Sequence, residues 1–294
     1  MSSKSNSKPK SILITGGASG IGLAITRYFA GQPEGHSIAI LDVNAATGEA
    51  VAAALAAEFP RRTTISFHAC DVSSWDEQAR VFERVYREHG NALDVVVANA
   101  GVSEQGATTL VKLQSESGAG SGERGEEGPR KPSVKTVEVN LLGVVYSVNL
   151  AVHYMDKKPH VQDGTSRGSI ICTASNAGLY PFPIAPLYAA SKFGVIGLVW
   201  STAKVIERAG IQINALAPAV LDTNIAPDKD LFKHMIVTPM ETLIRGVDQF
   251  LADPTVSGAV AEVHGDKVTI RPPHEFVDED SRRNIETFWK LGYA

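Results

Sequence analysis

Cysteine is nearly missing: Cys70 and Cys172 are the only two in 294 residues. Two thiols cannot staple a small secreted scaffold. They fit a reducing compartment, so a cytoplasmic chain is expected. Both read as small apolar fillers of strand ends. An excess of one charge is missing too. Lys and Arg number 28 against 32 Asp and Glu, a formal net charge of −4. That provides no basic footprint for nucleic acid. No apolar run approaches the ~18 residues of a membrane span. The start, Met1 to Lys8, is polar and lacks an apolar signal core. The end, Leu291 to Ala294, lacks a lipidation or peroxisomal signal. His68, His89 and His153 do not have metal-ligand spacing, and the two cysteines lie far apart, so no metal is expected. Tandem repeats are absent.

What is present is an alternation. Hydrophobic residues make up 44% and charged residues 20%, ordinary for a soluble globular chain. Short β-branched runs predict strands at Ser11–Thr15, Ser37–Leu41, Thr64–Ala69, Asp94–Ala98, Gly168–Thr173, Gln212–Ala217 and Gly258–His264. Several are continuously apolar, as parallel strands covered on both faces must be. Helical stretches are expected near Ile21–Ala30, Ala45–Phe59, Trp75–His89, Val134–Lys157, Tyr188–Ala209 and Pro239–Ala252. The pattern predicts an α/β fold: one domain over residues 10–270 with a doubly wound, seven-stranded parallel sheet. A flexible tail, 1–9, precedes it and a C-terminal extension, 271–294, follows. Ser115–Pro132 is rich in Gly, Ser and charge and cannot bury enough surface to order itself. It is expected to be a flexible surface insertion, with a lid as the alternative.

Thr15-Gly16-Gly17-Ala18-Ser19-Gly20-Ile21-Gly22 lies between the first strand and the first helix. Glycines let the backbone turn tightly and approach a ligand. The helix N-terminus then offers N–H groups and a positive dipole end to a pyrophosphate. Asp42 closes the second strand, twenty residues beyond Gly22. A carboxylate there accepts hydrogen bonds from ribose hydroxyls and repels a 2′-phosphate, which favours NAD over NADP. Asp42 as a plain turn residue before Asn44 is the bland alternative.

With the glycine spacing GxxxGxG, further residues resemble the short-chain dehydrogenase/reductase family and its Rossmann fold. Asp71-Val72 is similar to the adenine-contact pair. Ala98-Asn99-Ala100-Gly101 is similar to the NNAG motif, with Ala98 in place of the first Asn. Asn140 matches the helix Asn, Ser175 ends the fifth strand, and Tyr188-Ala189-Ala190-Ser191-Lys192 matches YxxxK. Asn214 to Thr223 resembles the nicotinamide-side NxxxPGxxxT stretch, including Pro218, Leu221 and Thr223, with Ala219 where Gly is usual. The finer resemblance, carried by Leu41–Asn44, His153–Met155 and Thr238–Met240, is to the 15-hydroxyprostaglandin dehydrogenase branch and its fungal relatives.

The cofactor-binding set is therefore Gly16, Ser19, Gly20, Ile21, Gly22, Asp42, Asp71, Val72, Asn99, Ala100, Gly101, Tyr188, Lys192, Pro218, Leu221 and Thr223. The catalytic set is Asn140, Ser175, Tyr188 and Lys192. Tyr188 and Lys192, four apart, share a helix face. A free tyrosine ionises near pH ~10. A neighbouring ammonium and an oxidised nicotinamide favour its phenolate, which can take an alcohol proton as hydride leaves the carbon. Ser175 is expected to hold the substrate oxygen beside Tyr188. The resemblance implies that Lys192 also holds the nicotinamide ribose and that Asn140 holds a water linking Lys192 to solvent. Each residue alone could equally be structural.

Candidate substrate walls are Ser103–Thr109, Ala177–Leu187 and Asp222–Thr238. Gly178–Leu187 is apolar and proline-rich, and it contains no Arg or Lys to clamp an anion. A small apolar secondary alcohol or ketone is the expected partner, in the manner of a lipid, polyketide or terpenoid. The resemblance implies a homodimer or homotetramer, for which the apolar Val144–Met155 and Val195–Val205 are the candidate faces. Rival readings are an NADPH-dependent ketoreductase and a nucleotide-bound scaffold or non-redox pathway protein on the same fold.

Overall fold

The computed structural model describes residues 8–60, 63–104, 131–159, 166–223 and 229–292. Residues 1–7 of the expected tail and 115–130 of the expected insertion lie outside them, as do 105–109 and 224–228 of the expected substrate walls.

The sheet strands are β1 (Ser11–Thr15), β2 (Ser37–Asp42), β3 (Thr64–Ala69), β4 (Val95–Ala98), β5 (Gly168–Thr173), β6 (Ile211–Pro218), β7 (Val260–His264) and β8 (Lys267–Arg271). Their order is β3-β2-β1-β4-β5-β6-β7-β8. The first seven are parallel, and β8 returns antiparallel on β7. The expected sheet of seven strands is thus corrected to eight. His264 and Lys267 pair directly, leaving Gly265 and Asp266 as the turn. Gly265 takes φ 52° there, the left-handed region a two-residue hairpin needs. β8 is half-exposed on an edge, so it carries no apolar run to announce it.

The helices are α1 (Gly20–Ala30), α2 (Ala45–Glu58), α3 (Trp75–Glu88), α4 (Lys135–Val137), α5 (Gly143–Met155), α6 (Pro186–Ile206), α7 (Met240–Ala252) and α8 (Glu279–Leu291). Strand side chains alternate between faces. Leu13 joins Val81, Phe82, Val148, Ala151, Val195 and Val199 under α3, α5 and α6. Ile12 and Ile14 join Ile25, Phe29, Leu243, Val247 and Phe250 under α1 and α7. A third cluster seats Ala52 and Leu55 of α2 on Ile40. Both sheet faces are therefore covered, which is why β1, β4 and β6 bury every residue. The one helix long and apolar enough to cross a membrane among the described residues, Pro186–Ala209, gives Val195, Val199 and Ala203 to this core.

The helical stretch expected near Val134–Lys157 runs over Lys135–Met155, with a π-helical turn, Glu138–Leu142, between α4 and α5. Such turns insert one residue into a helix and recur at functional sites. Asn140 sits in it. Strand order reverses between β1 and β4, and in open α/β sheets the ligand crevice lies at such a reversal, beyond the C-terminal strand ends.

Candidate active site

Three glycines of the turn after β1 serve three purposes. Gly16 has φ 63°, and a Cβ on it would lie 2.8 Å from Ala100 Cα. Gly20 has φ 51° and opens toward Thr223, 3.4 Å from where its Cβ would stand. Gly22 would drive a Cβ to within 2.0 Å of the Gly16 carbonyl oxygen. The turn is tied down by Gly16 N–H donating to Leu41 O at 2.7 Å. α1 begins with no cap from the Ser19 side chain and no acid in its first turn. Its positive end therefore faces the turn without a carboxylate of its own, the arrangement that receives a phosphate. Gly22 is buried and Ile21 packs against the core.

Asp42 makes the turn contact expected of it and also braces the glycine turn. Its Oδ1 accepts from Asn44 N–H at 3.1 Å, and its Oδ2 reaches the glycine turn, accepting from Ala18 N–H at 3.3 Å. Beyond β3, Asp71 Oδ1 accepts from Ser73 N–H and Oγ–H at 2.9 and 2.6 Å. The Lys135 ammonium lies 3.2 Å from its Oδ2. Together, with the Ser73 hydroxyl foremost, these hold the Asp71 carboxyl below the ordinary aspartate range. Val72 is buried. Its carbonyl accepts from the buried Gln78 amide at 2.6 Å, and the same amide donates to Gly143 O at 2.9 Å.

Asn99-Ala100-Gly101 joins the two halves of the site. Asn99 and Ala100 give their N–H groups to Thr15 Oγ1 at 2.9 and 3.1 Å. The Asn99 amide donates to Thr15 O at 3.1 Å, and its Oδ1 accepts from Thr173 Oγ1 at 3.1 Å. A Cβ on Gly101 would lie 3.3 Å from Asn140 Oδ1 and 3.6 Å from Lys192 Nζ, so this glycine keeps open the gap between those two groups.

Asn140 is fully buried. Its Oδ1 accepts from Val102 N–H at 2.8 Å, and its amide donates to Val102 O at 2.9 Å and Ser191 Oγ at 3.3 Å. Lys192 is buried in α6 and donates to Thr173 O at 2.8 Å. Burial pushes its ammonium down to about 8. Ser175 follows β5, and its Oγ accepts from Ala177 N–H at 3.1 Å. The Ser175 side chain stands beside the Tyr188 phenol and favours its ionised form. Ser175, Tyr188 and Lys192 thus meet at the C-terminal end of β5.

The electrostatics of Tyr188 correct one expectation, that the Lys192 ammonium lowers the phenol. Instead burial raises it, and the Ser175 side chain opposes that rise. Lys192 Nζ stands 5.6 Å from the Tyr188 ring centroid and is committed to Thr173 O. Without a nucleotide, both groups are driven toward their neutral forms.

On the nicotinamide side, Pro218 ends β6, and Leu221 and Thr223 are buried. Ala219 keeps a negative φ, since Asn91 is the one non-glycine residue with positive φ among the described residues. Its departure from the usual Gly costs no backbone strain. Phe182 stands 6.2 Å, ring to ring, from Tyr188. Tyr180 OH donates to Glu262 Oε2 at 3.1 Å and accepts from Arg271 at 2.7 Å. That ties the Ala177–Leu187 wall to β7 and β8.

Residues outside the expected set also build the site. Thr15, Gln78 and Lys135 fasten its parts. Glu104, part of an expected wall, instead aims its carboxylate at the start of α6. Thr15 opens the glycine motif itself; Lys135 and Glu104 carry no sequence signature, because each acts on a group distant in the chain.

These features define a nucleotide-binding α/β oxidoreductase site. The family of short chain dehydrogenases matches residues 10–233, and the chain belongs to it. Short-chain dehydrogenase/reductase prx7 of Penicillium rubens is 32% identical over 286 residues, covering 90% of this chain and 95% of that protein. The 5'-hydroxyaverantin dehydrogenase of Dothistroma septosporum is 32% identical, covering 95% and 89%. The 15-hydroxyprostaglandin dehydrogenase [NAD(+)] of Bos taurus is 28% identical, covering 86% and 90%. Among solved structures, a 3-oxoacyl-[acyl-carrier protein] reductase with bound NAD from Brucella melitensis superposes with TM-score 0.66 at 26% identity, covering 88% and 91%.

Proposed function

We propose that this protein exchanges hydride between NAD and an apolar secondary alcohol or its ketone. The observation that carries the reading is the Ser175–Tyr188 hydroxyl pair, one helical turn from buried Lys192. The glycine cradle, the open N-terminus of α1 and Asp42 fit a dinucleotide. When bound, that group supplies the hydride acceptor or donor. Ser175 orients the substrate oxygen, and Tyr188 takes or gives its proton. Lys192 would hold the nicotinamide ribose, and Asn140, across the gap at Gly101, would hold a water linking Lys192 to solvent. Asp42 supports NAD over NADP, because a carboxylate at the end of β2 repels a 2′-phosphate. The relatives' names, a hydroxyaverantin and a hydroxyprostaglandin dehydrogenase, support a hydroxylated apolar substrate.

Apolar side chains left exposed on the π-helical turn, Leu142, and on α6, Phe193 and Val205, support a homodimer or homotetramer. Two buried thiols, each raised to about 12 by burial, suit a cytoplasmic chain.

The test is energy transfer from tryptophan to NADH and NADPH, in wild type and Asp42→Ala. Tighter binding of NADH, weakened about tenfold by Asp42→Ala, is expected. Equal or tighter NADPH binding by wild type overturns the NAD reading.

A further inference from the structure

We infer that Glu104 is a positioning residue for Tyr188, holding the first turn of the catalytic helix by its backbone. The inference rests on Tyr188 being the acid–base group. α6 starts with Pro186, which has no N–H, and its N-cap is Ala185, which has no side-chain acceptor. The next two backbone donors therefore find no partner within the helix. Glu104 Oε2 accepts from both, from Leu187 N–H at 2.7 Å and Tyr188 N–H at 3.2 Å. The residue comes from 83 and 84 positions upstream and is 8% exposed. An anion at this end also suits the helix dipole.

The surrounding contacts make this more than a cap. Residues 99–104 form one strap with three fixings. Asn99 is held at Thr15, and Val102 is gripped by the Asn140 amide through both its N–H and its carbonyl. Glu104 holds residue 188 itself. The strap thus sets Tyr188 relative to the glycine turn and to Asn140. It also keeps the phenol within reach of Ser175, which sits on a different loop.

The test uses full-length protein with tyrosine labelled by carbon-13 at Cζ, saturated with NAD. The Tyr188 resonance is assigned by its loss in Tyr188→Phe. Ser175→Ala supplies the shift that marks a lost Ser175 contact. Glu104→Ala is expected to move the Tyr188 resonance most of the way to the Ser175→Ala position, with NADH affinity within about threefold of wild type. Glu104→Gln keeps an acceptor oxygen and is expected to restore the wild-type resonance. An unmoved resonance in Glu104→Ala overturns the inference. So does a Glu104→Gln shift as large as that of Glu104→Ala, which would make the effect one of charge. If Glu104→Ala does not fold, Glu104→Asp, one methylene short, must move the resonance, and a wild-type position overturns the proposal. No substrate is needed for these readings. Failure of the acid–base assignment shows separately, as NADH-linked reduction of 2-decanone or α-tetralone by Tyr188→Phe at the wild-type rate.

Discussion

The two walls of the crevice are built differently. The nucleotide wall is closed and pinned: Gly16 sits against Ala100, Gly22 against Gly16, and Asn99 bonds to both Thr15 and Thr173. The proposed substrate wall is open and apolar. Phe182 is 38% exposed, Ile184 77% and Ile236 87%. Among the described residues of Ala177–Leu187, the side-chain bonds run from Tyr180 to Glu262 and Arg271. A common ligand justifies a rigid, polar cradle, since preorganised donors lose no entropy on binding. A wall of exposed apolar side chains instead offers area and few directions, so it selects by shape and hydrophobicity.

That contrast can be broken from either side. On the chemical floor between the walls, Tyr188→Phe removes the proton donor. It is expected to lower kcat for NADH-linked ketone reduction by about 100- to 10,000-fold, with a far smaller change in NADH affinity in fluorescence titration. On the nucleotide wall, Gly22→Ala forces a clash with backbone that cannot swing aside. Overpacking of this kind costs about 1–3 kcal/mol, so either NADH affinity should fall by about 5- to 150-fold or the unfolding free energy should fall by that amount. On the substrate wall, Phe182→Ala should raise KM for apolar ketones by about tenfold or less and leave NADH affinity unchanged. A large loss of NADH binding in that variant would show that the walls are not separate.

The smallest effect is a pH dependence of stability. Burial lowers Lys192 from 10.5 to about 8. Between those values the unfolded chain holds a proton that the folded chain has released, so stability rises with pH. Above about 9 the cysteines oppose this, because burial lets the folded chain keep thiol protons that the unfolded chain loses. From pH 8 to 9, the unfolding free energy of the nucleotide-free protein in urea should rise by about 1 kcal/mol more in wild type than in Lys192→Met, the two thiols offsetting part of the gain in both.

Much of this architecture was legible in the chain. The parallel strands were readable to within about two residues: those inside the sheet because both faces are buried and leave a short, continuously apolar run, and the edge strand β3 because Thr64–Ala69 is still a short run of β-formers between turn residues. The glycine turn was legible because its backbone tolerates no other residue. β8 was not, since an edge strand with one exposed face looks like a polar tail. The π turn at Glu138–Leu142 was not, since one inserted residue barely disturbs a helical pattern. Lys135 and Glu104 act on Asp71 and on α6, partners 64 and more than 80 residues away, and no local spacing encodes such pairs.

The sequence by itself determined the strand–helix alternation, the phosphate-binding turn, the acid at the end of β2 and the Tyr188–Lys192 pair. Each of these depends on periodicity or on contacts a few residues apart. The tertiary structure decided what surrounds them: that Lys192 spends its ammonium on Thr173, that burial rather than a neighbouring charge governs the Tyr188 phenol, and that a carboxylate from the loop after β4 fixes the start of α6. Those are consequences of desolvation and of long-range closure, which exist only once the chain has folded.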